Sequence, residues 1–106
     1  MTTEERIDKL ERELENMKRV MRTRTFIIED ENGKPRAELG VDKDGPRLML
    51  MDENGNHRVE LGVDKDGSGL SLSDENGNIR AGIVVSKDGP GLALLDDEGK
   101  RIFSAP

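Results

Sequence analysis

Residues 47–68 read RLMLMDENGNHRVELGVDKDGS. Leu48 and Leu50 alternate with Met49 and Met51, and Val59, Leu61 and Val63 alternate with Arg58, Glu60 and Gly62. Period-two runs of this kind are the mark of strands with one apolar face. Asn54-Gly55 lies between the runs and Asp66-Gly67 follows them. Both dipeptides suit tight hairpin turns, because a type I′ turn needs positive φ at both central residues. Folded as a two-residue turn at Asn54-Gly55, the stretch sets Leu50 opposite Val59 and Leu48 opposite Leu61. On the other face Met51 then meets Arg58.

The same phrase recurs every 22 residues, as TFIIEDENGKPRAELGVDKDGP (25–46), GLSLSDENGNIRAGIVVSKDGP (69–90) and the shortened GLALLDDEGKRIFSAP (91–106). Folded alike, each copy pairs apolar with apolar: Phe26 with Leu39, Ile28 with Ala37, Leu70 with Ile83, Leu72 with Ala81, and Leu94 with Phe103. Glu29 and Arg36 form an opposite-charge pair. The Asp-Gly turns allow two registers. A two-residue turn at Asp44-Gly45 sets Leu39 against Leu50 and leaves Pro46 without the N–H that closes it. A four-residue loop over 42–45 sets Leu39 against Leu48, and Pro46 sits badly there too. Both keep one face apolar. The expected fold is therefore mainly β, an antiparallel meander of about eight short strands. Its apolar face holds Phe26, Ile28, Ala37, Leu39, Val41, Leu48, Leu50, Val59, Leu61, Val63, Leu70, Leu72, Ala81, Ile83, Val85, Leu92, Leu94 and Phe103. The two Phe fall on the first and last strand, where they read as caps of the array.

Ahead of the repeats, Thr2 and Glu5 form a capping-box pattern. Ile7, Leu10, Leu14, Met17 and Met21 then follow in steps of three and four, an a/d heptad seam. A parallel pairing sets Arg6 against Glu11 and Glu13 against Lys18 of a neighbouring helix. An antiparallel pairing is also served, through Arg6 and Glu13. Val20 widens the stripe toward three strands. The division is a coiled-coil helix over 1–23 and a repeat β domain over 24–106.

Neither element buries itself. Only 32% of the 106 residues are apolar, against roughly 45–50% in ordinary globular domains. No second layer is encoded to cover the sheet. Self-association supplies one: three copies turn their apolar faces inward as a trimeric β-prism, headed by a short parallel coiled coil. The contact residues of this homotrimer are Ile7, Leu10, Leu14, Met17 and Met21 in the helix, with Leu48, Leu50, Val59, Leu61, Val63, Leu70, Leu72, Ile83, Leu92 and Leu94 in the sheet. The alternative is a β-solenoid, each repeat a rung stacked in parallel on the next.

The repeats, RAELGVDKDGP and DENGK above all, resemble those of uncharacterised bacterial proteins that carry tandem copies after a short coiled coil. The resemblance covers residues 25–106 and implies no activity or ligand. The plan of coiled coil and β-shaft also resembles phage tail-fibre and bacterial surface-fibre segments. It implies a structural role, a homotrimeric stalk or shaft.

The net charge of −6 disfavours nucleic acid and anionic membranes, which select basic patches. The absence of cysteine excludes disulfides, thiolate metal sites and a cysteine nucleophile. MTTEERIDKL is not a secretory signal, and no apolar run approaches the ~20 residues of a membrane span. A cytoplasmic or virion-associated location is the expectation. Calcium is the one cofactor the acidic turns bring to mind, with Asp42, Asp44, Asp52, Asn54, Asp64 and Asp66 as candidate ligands. Neither an EF-hand nor a β-roll nonapeptide is present, and the same residues serve tight turns. His57, the only histidine, is expected in solvent opposite Asp52. Gly40, Gly62 and Gly82 interrupt the outward face and read as easing twist or marking bulges. No catalytic set or cofactor site is expected, so the chain reads as no enzyme. A binding module that takes a divalent cation, a glycan or a protein on its acidic turns or outer face is the alternative function.

Overall fold

The computed structural model describes residues 1–19 and 22–106. Its one helix, α1, spans Thr3–Arg19. Thr2 caps it: its Oγ1 accepts the Glu5 N–H at 3.1 Å and its carbonyl accepts the Arg6 N–H, while Glu4 and Glu5 complement the positive end of the helix dipole. At ~1.5 Å per residue the helix is about 25 Å long. Ile7, Leu10, Leu14 and Met17 are all exposed along it. Met21 and Val20 lie outside the described residues. Among the described residues no strand packs on the helix.

Eight strands follow: β1 Thr25–Glu29, β2 Pro35–Asp42, β3 Gly45–Met51, β4 His57–Asp64, β5 Gly67–Ser73, β6 Ile79–Ser86, β7 Gly89–Leu95 and β8 Arg101–Ala105. They form one sheet in the order β1 to β8, every neighbour antiparallel. The solenoid alternative, which needs parallel stacking of successive repeats, is thereby excluded. The sheet is open, not a barrel. The chain measures 68 × 36 × 19 Å with a radius of gyration of 19.9 Å, against about 13 Å for a compact chain of this length.

The expected apolar pairs are present, but the turns that produce them differ from the expected ones. In β3–β4 Leu48 faces Leu61 and Leu50 faces Val59, after which the register steps and Met51 faces His57. The loop has three residues, Glu53, Asn54 and Gly55, closed by bonds from Gly55 N to Asp52 O and from Asp52 N to Asn56 O. Only Gly55 has positive φ, +84°, and no non-glycine residue in the described chain does. This is a type I turn followed by a left-handed glycine, not type I′. One loop residue more than expected would flip every later side chain to the wrong face. A β-bulge at Arg58 absorbs it and restores parity. The same step falls at Arg36, Arg80 and Ile102. Glu29 consequently faces Pro35 and Met51 faces His57, correcting the pairs drawn with Arg36 and Arg58.

At the other turns Leu39 faces Leu48 and Asp42 faces Gly45. The loop is only Lys43-Asp44, tighter than the four-residue version, with the register that version gives. Pro46 fits because its partner Val41 sends its own N–H the other way, to Arg24 O at 2.9 Å. The pair is one whose N–H groups point outward, so β2 asks nothing of Pro46. Gly40, Gly62 and Gly82 lie in regular register. None marks a bulge, and two make room: a Cβ at Gly62 would stand 3.1 Å from Arg47 Cγ and one at Gly40 3.3 Å from Thr25 Oγ1, whereas one at Gly82 would meet only Leu70 O, at 3.9 Å.

Candidate functional site

One face of the sheet is apolar from end to end. Its middle row runs Phe26, Leu39, Leu48, Leu61, Leu70, Ile83, Leu92, Ala105, one residue from each strand. A flanking row runs Ile28, Ala37, Leu50, Val59, Leu72, Ala81, Leu94, Phe103. A shorter row on the other flank holds Val41, Pro46, Val63, Ser68, Val85 and Pro90. Among the described residues not one is buried; Leu39 is 55% exposed and Val63 51%. All ten sheet residues expected to make partner contacts lie on this face.

The four DENG-type loops line one edge. In each, the leading aspartate closes its own loop. Asp52 Oδ1 accepts the N–H groups of Asn54 at 3.0 Å and Asn56 at 2.9 Å, and Asp30, Asp74 and Asp96 accept the matching pairs. The bulge places an arginine beside this carboxylate. Arg58 stands 3.6 Å from Asp52 Oδ2 and donates from Nε to Ser73 O at 2.8 Å, in the next repeat. Arg36 and Arg80 do the same with Asp30 and Met51 O, and with Asp74 and Leu95 O. Ile102 occupies the fourth position, with no further strand in the sheet. Adjacent loops also touch: Lys34 Nζ donates to Glu53 O, and Asn56 Nδ2 to Glu75 O at 2.9 Å. Donated N–H groups hold Asp30, Asp52 and Asp74 below their ordinary pKa of 3.8, the bond from Lys34, Asn56 or Asn78 leading and the arginine adding to it. The arginine clamp was missed in the sequence. Its signal was there, an arginine at the same place in three repeats, but its acceptor is a main-chain carbonyl fifteen residues on.

The DKDG-type turns line the opposite edge. Asp42 Oδ1 accepts from Asp44 N at 2.8 Å, and Asp64 Oδ1 from Asp66 N and Gly67 N at 2.8 and 3.0 Å. Ser86 takes the aspartate's place in the third turn. Arg47 pairs with Asp42 and, at 3.4 Å, with Glu60. The Asp44 N–H leads in lowering the Asp42 pKa, and Arg47 adds to it. A Cβ at Gly45 would lie 2.1 Å from Val63 O, and one at Gly67 2.1 Å from Val85 O. These turns sit directly on the next repeat.

The six calcium candidates are therefore divided. Asp42, Asp44, Asp64 and Asp66 are on one edge, Asp52 and Asn54 on the other. The oxygens of Asp52 are occupied by its own loop and by Arg58. Among the described residues no three carboxylates or imidazoles converge where a metal ion could be held. His57 is exposed, opposite Met51; Asp52 faces Asn56. A shallow depression of about 680 Å³ lies along β3 to β6, lined by Gly62, Gly69, Gly82, Ser71, Arg47 and Glu60 among others. No described helix is long and apolar enough to cross a membrane. No protein-family model matches the chain, and no curated protein is significantly similar to it.

Proposed function

We propose that the protein is a non-enzymatic structural module, a homotrimeric stalk in which three copies turn their apolar faces onto one axis. The observation that carries this reading is the absence of a core among the described residues: two apolar rows cross all eight strands, a third crosses β2 to β7, and no described residue covers them. An apolar surface of this extent on a soluble chain marks an association site. The uncovered heptad seam of α1 asks for the same remedy.

The width of the face favours three walls. Packed sheets stand ~10 Å apart, so each wall's side chains reach ~5 Å. A triangular prism whose walls stand ~5 Å from its axis has walls about 17 Å wide, or five strand residues at ~3.4 Å. Five residues are what the three rows span, as in Ala37, Leu39 and Val41. The middle row then points at the axis, and the coil sets all three copies in one direction.

The test is the mass in solution, by light scattering after size exclusion, with and without a chelator. The expected mass is three times the 11.8 kDa chain, unchanged by chelation. Leu61→Asp, on the middle row, dissociates the assembly; Ser71→Asp, on the other face, does not. A single-chain mass for the unaltered protein sinks the proposal. A trimer that falls apart in chelator returns the acidic turns to a metal role.

A further inference from the structure

We infer that the two turn edges of the sheet are themselves a contact surface, and that their partner is a second copy of this chain. At each corner of the assembly, lysines from one copy interleave with carboxylates from the next. This rests on the trimeric reading above and goes beyond it, because burial of the apolar face says nothing about the corners.

The geometry forces unlike edges together. Three walls that enclose one axis, all with β1 at the same end, form a head-to-tail ring. Each copy therefore presents its DENG-loop edge to the DKDG-turn edge of its neighbour. Lys43, Lys65 and Lys87 project from the second kind of edge. Glu31, Glu53, Glu75 and Asp97 occupy the second position of the four loops on the first. All seven are exposed. No ion pair within the chain engages any of their side chains among the described residues.

The heights match. The DENG loops join β1 to β2, β3 to β4, β5 to β6 and β7 to β8, while the DKDG turns join the alternate pairs. Both rows repeat every two strands, about 9.6 Å, and are offset by one strand, ~4.8 Å. Each lysine thus comes level with the gap between two acids: Lys43 between Glu31 and Glu53, Lys65 between Glu53 and Glu75, Lys87 between Glu75 and Asp97. A lysine stem spans that offset. The remaining charge makes the match necessary. The chain carries −6, and Asp44, Asp66 and Asp88 flank the lysines. Two such edges repel at close range without interleaved cations.

The experiment reverses each row in the full chain and reads mass and the concentration of half-dissociation at low salt. The triple variant Lys43→Glu, Lys65→Glu, Lys87→Glu places acid against acid. The triple variant Glu31→Lys, Glu53→Lys, Glu75→Lys places base against base. Each is expected to raise the half-dissociation concentration at least tenfold. The six-fold variant carrying both reversals restores it, and high salt narrows all differences. The second triple also separates the ladder from bulk charge. It carries the chain from −6 to 0, so general repulsion alone predicts a tighter assembly where the ladder predicts a weaker one. Two triples that assemble like the unaltered trimer, or a six-fold variant that fails to rescue, overturn the corner contact and leave the trimer standing. An unaltered protein with the mass of one chain overturns both.

Discussion

At one edge of the sheet Asp52 accepts two N–H groups of its own loop, and a Cβ at Gly55 would meet nothing within 4 Å. At the other edge Gly45 has Val63 O where its side chain would be. Both edges repeat every 22 residues and both use aspartate and glycine. The DENG loop takes its shape from bonds inside itself and is then tied to the next repeat by an arginine. The DKDG turns are also closed by a side chain of their own, but at Gly45 and Gly67 they lie against the backbone of the next repeat. One phrase leaves open space at its glycine, and the other is packed there against its neighbour. The difference shows how an array without a core holds its strands in order: clamps on one side, close backbone contact on the other.

The largest expected effect breaks the stacked edge. Gly45→Ala drives a Cβ to 2.1 Å from a carbonyl oxygen and is expected to cost at least ~3 kcal/mol. Gly77→Ala also needs a positive φ, +86° against +129° at Gly45, but meets nothing within 4 Å. It is expected to cost about 1–2 kcal/mol. Denaturant unfolding at one fixed chain concentration measures both; equal costs would remove the distinction between the edges.

A smaller effect belongs to the clamp. Arg58→Met removes the bond to Ser73 O and the pairing with Asp52, for an expected loss of about 1 kcal/mol. Ile102→Arg adds an arginine where this sheet has no further strand to receive it and is expected within ~0.5 kcal/mol of neutral. Parity between the two in thermal melts would mean that the arginines are solvated ornaments of the loops.

Acid sharpens the comparison more gently. Asp30, Asp52 and Asp74 on the clamped edge and Asp42 on the stacked edge all have pKa values lowered in the fold. The unfolded chain then binds protons more readily than the folded one. The contribution is complete above the ordinary value of 3.8 and is lost as pH falls through the lowered values. The melting temperature is expected to hold from neutrality to about pH 5 and to fall below about pH 4. The triple variant Asp30→Asn, Asp52→Asn, Asp74→Asn is expected to flatten most of that fall. An unchanged profile would show that these loop bonds carry no net stabilisation.

The sequence by itself determined the strands, the apolar face and the helix with its seam, and the structure chose between two strand orders. Period-two alternation assigns each residue to a face, and adjacency of repeats leaves a meander or a solenoid. The Leu50–Val59 pair was legible too, since a strand register depends only on the sum of two residue numbers, while Leu39 was left between Leu48 and Leu50 until the structure set it against Leu48. For the same reason the turns were not legible. A two-residue loop and a three-residue loop with a bulge give the same sum, so no pairing pattern can separate them. The negative φ of Asn54 and the bulge at Arg58 belong to the arrangement in which Asp52 collects two N–H groups of its own loop, and the fourth loop adopts it with Ile102 at the bulge. What only the tertiary structure decided is the acceptor of Arg58, the Ser73 carbonyl of the neighbouring repeat, a relation that exists only once the strands lie side by side.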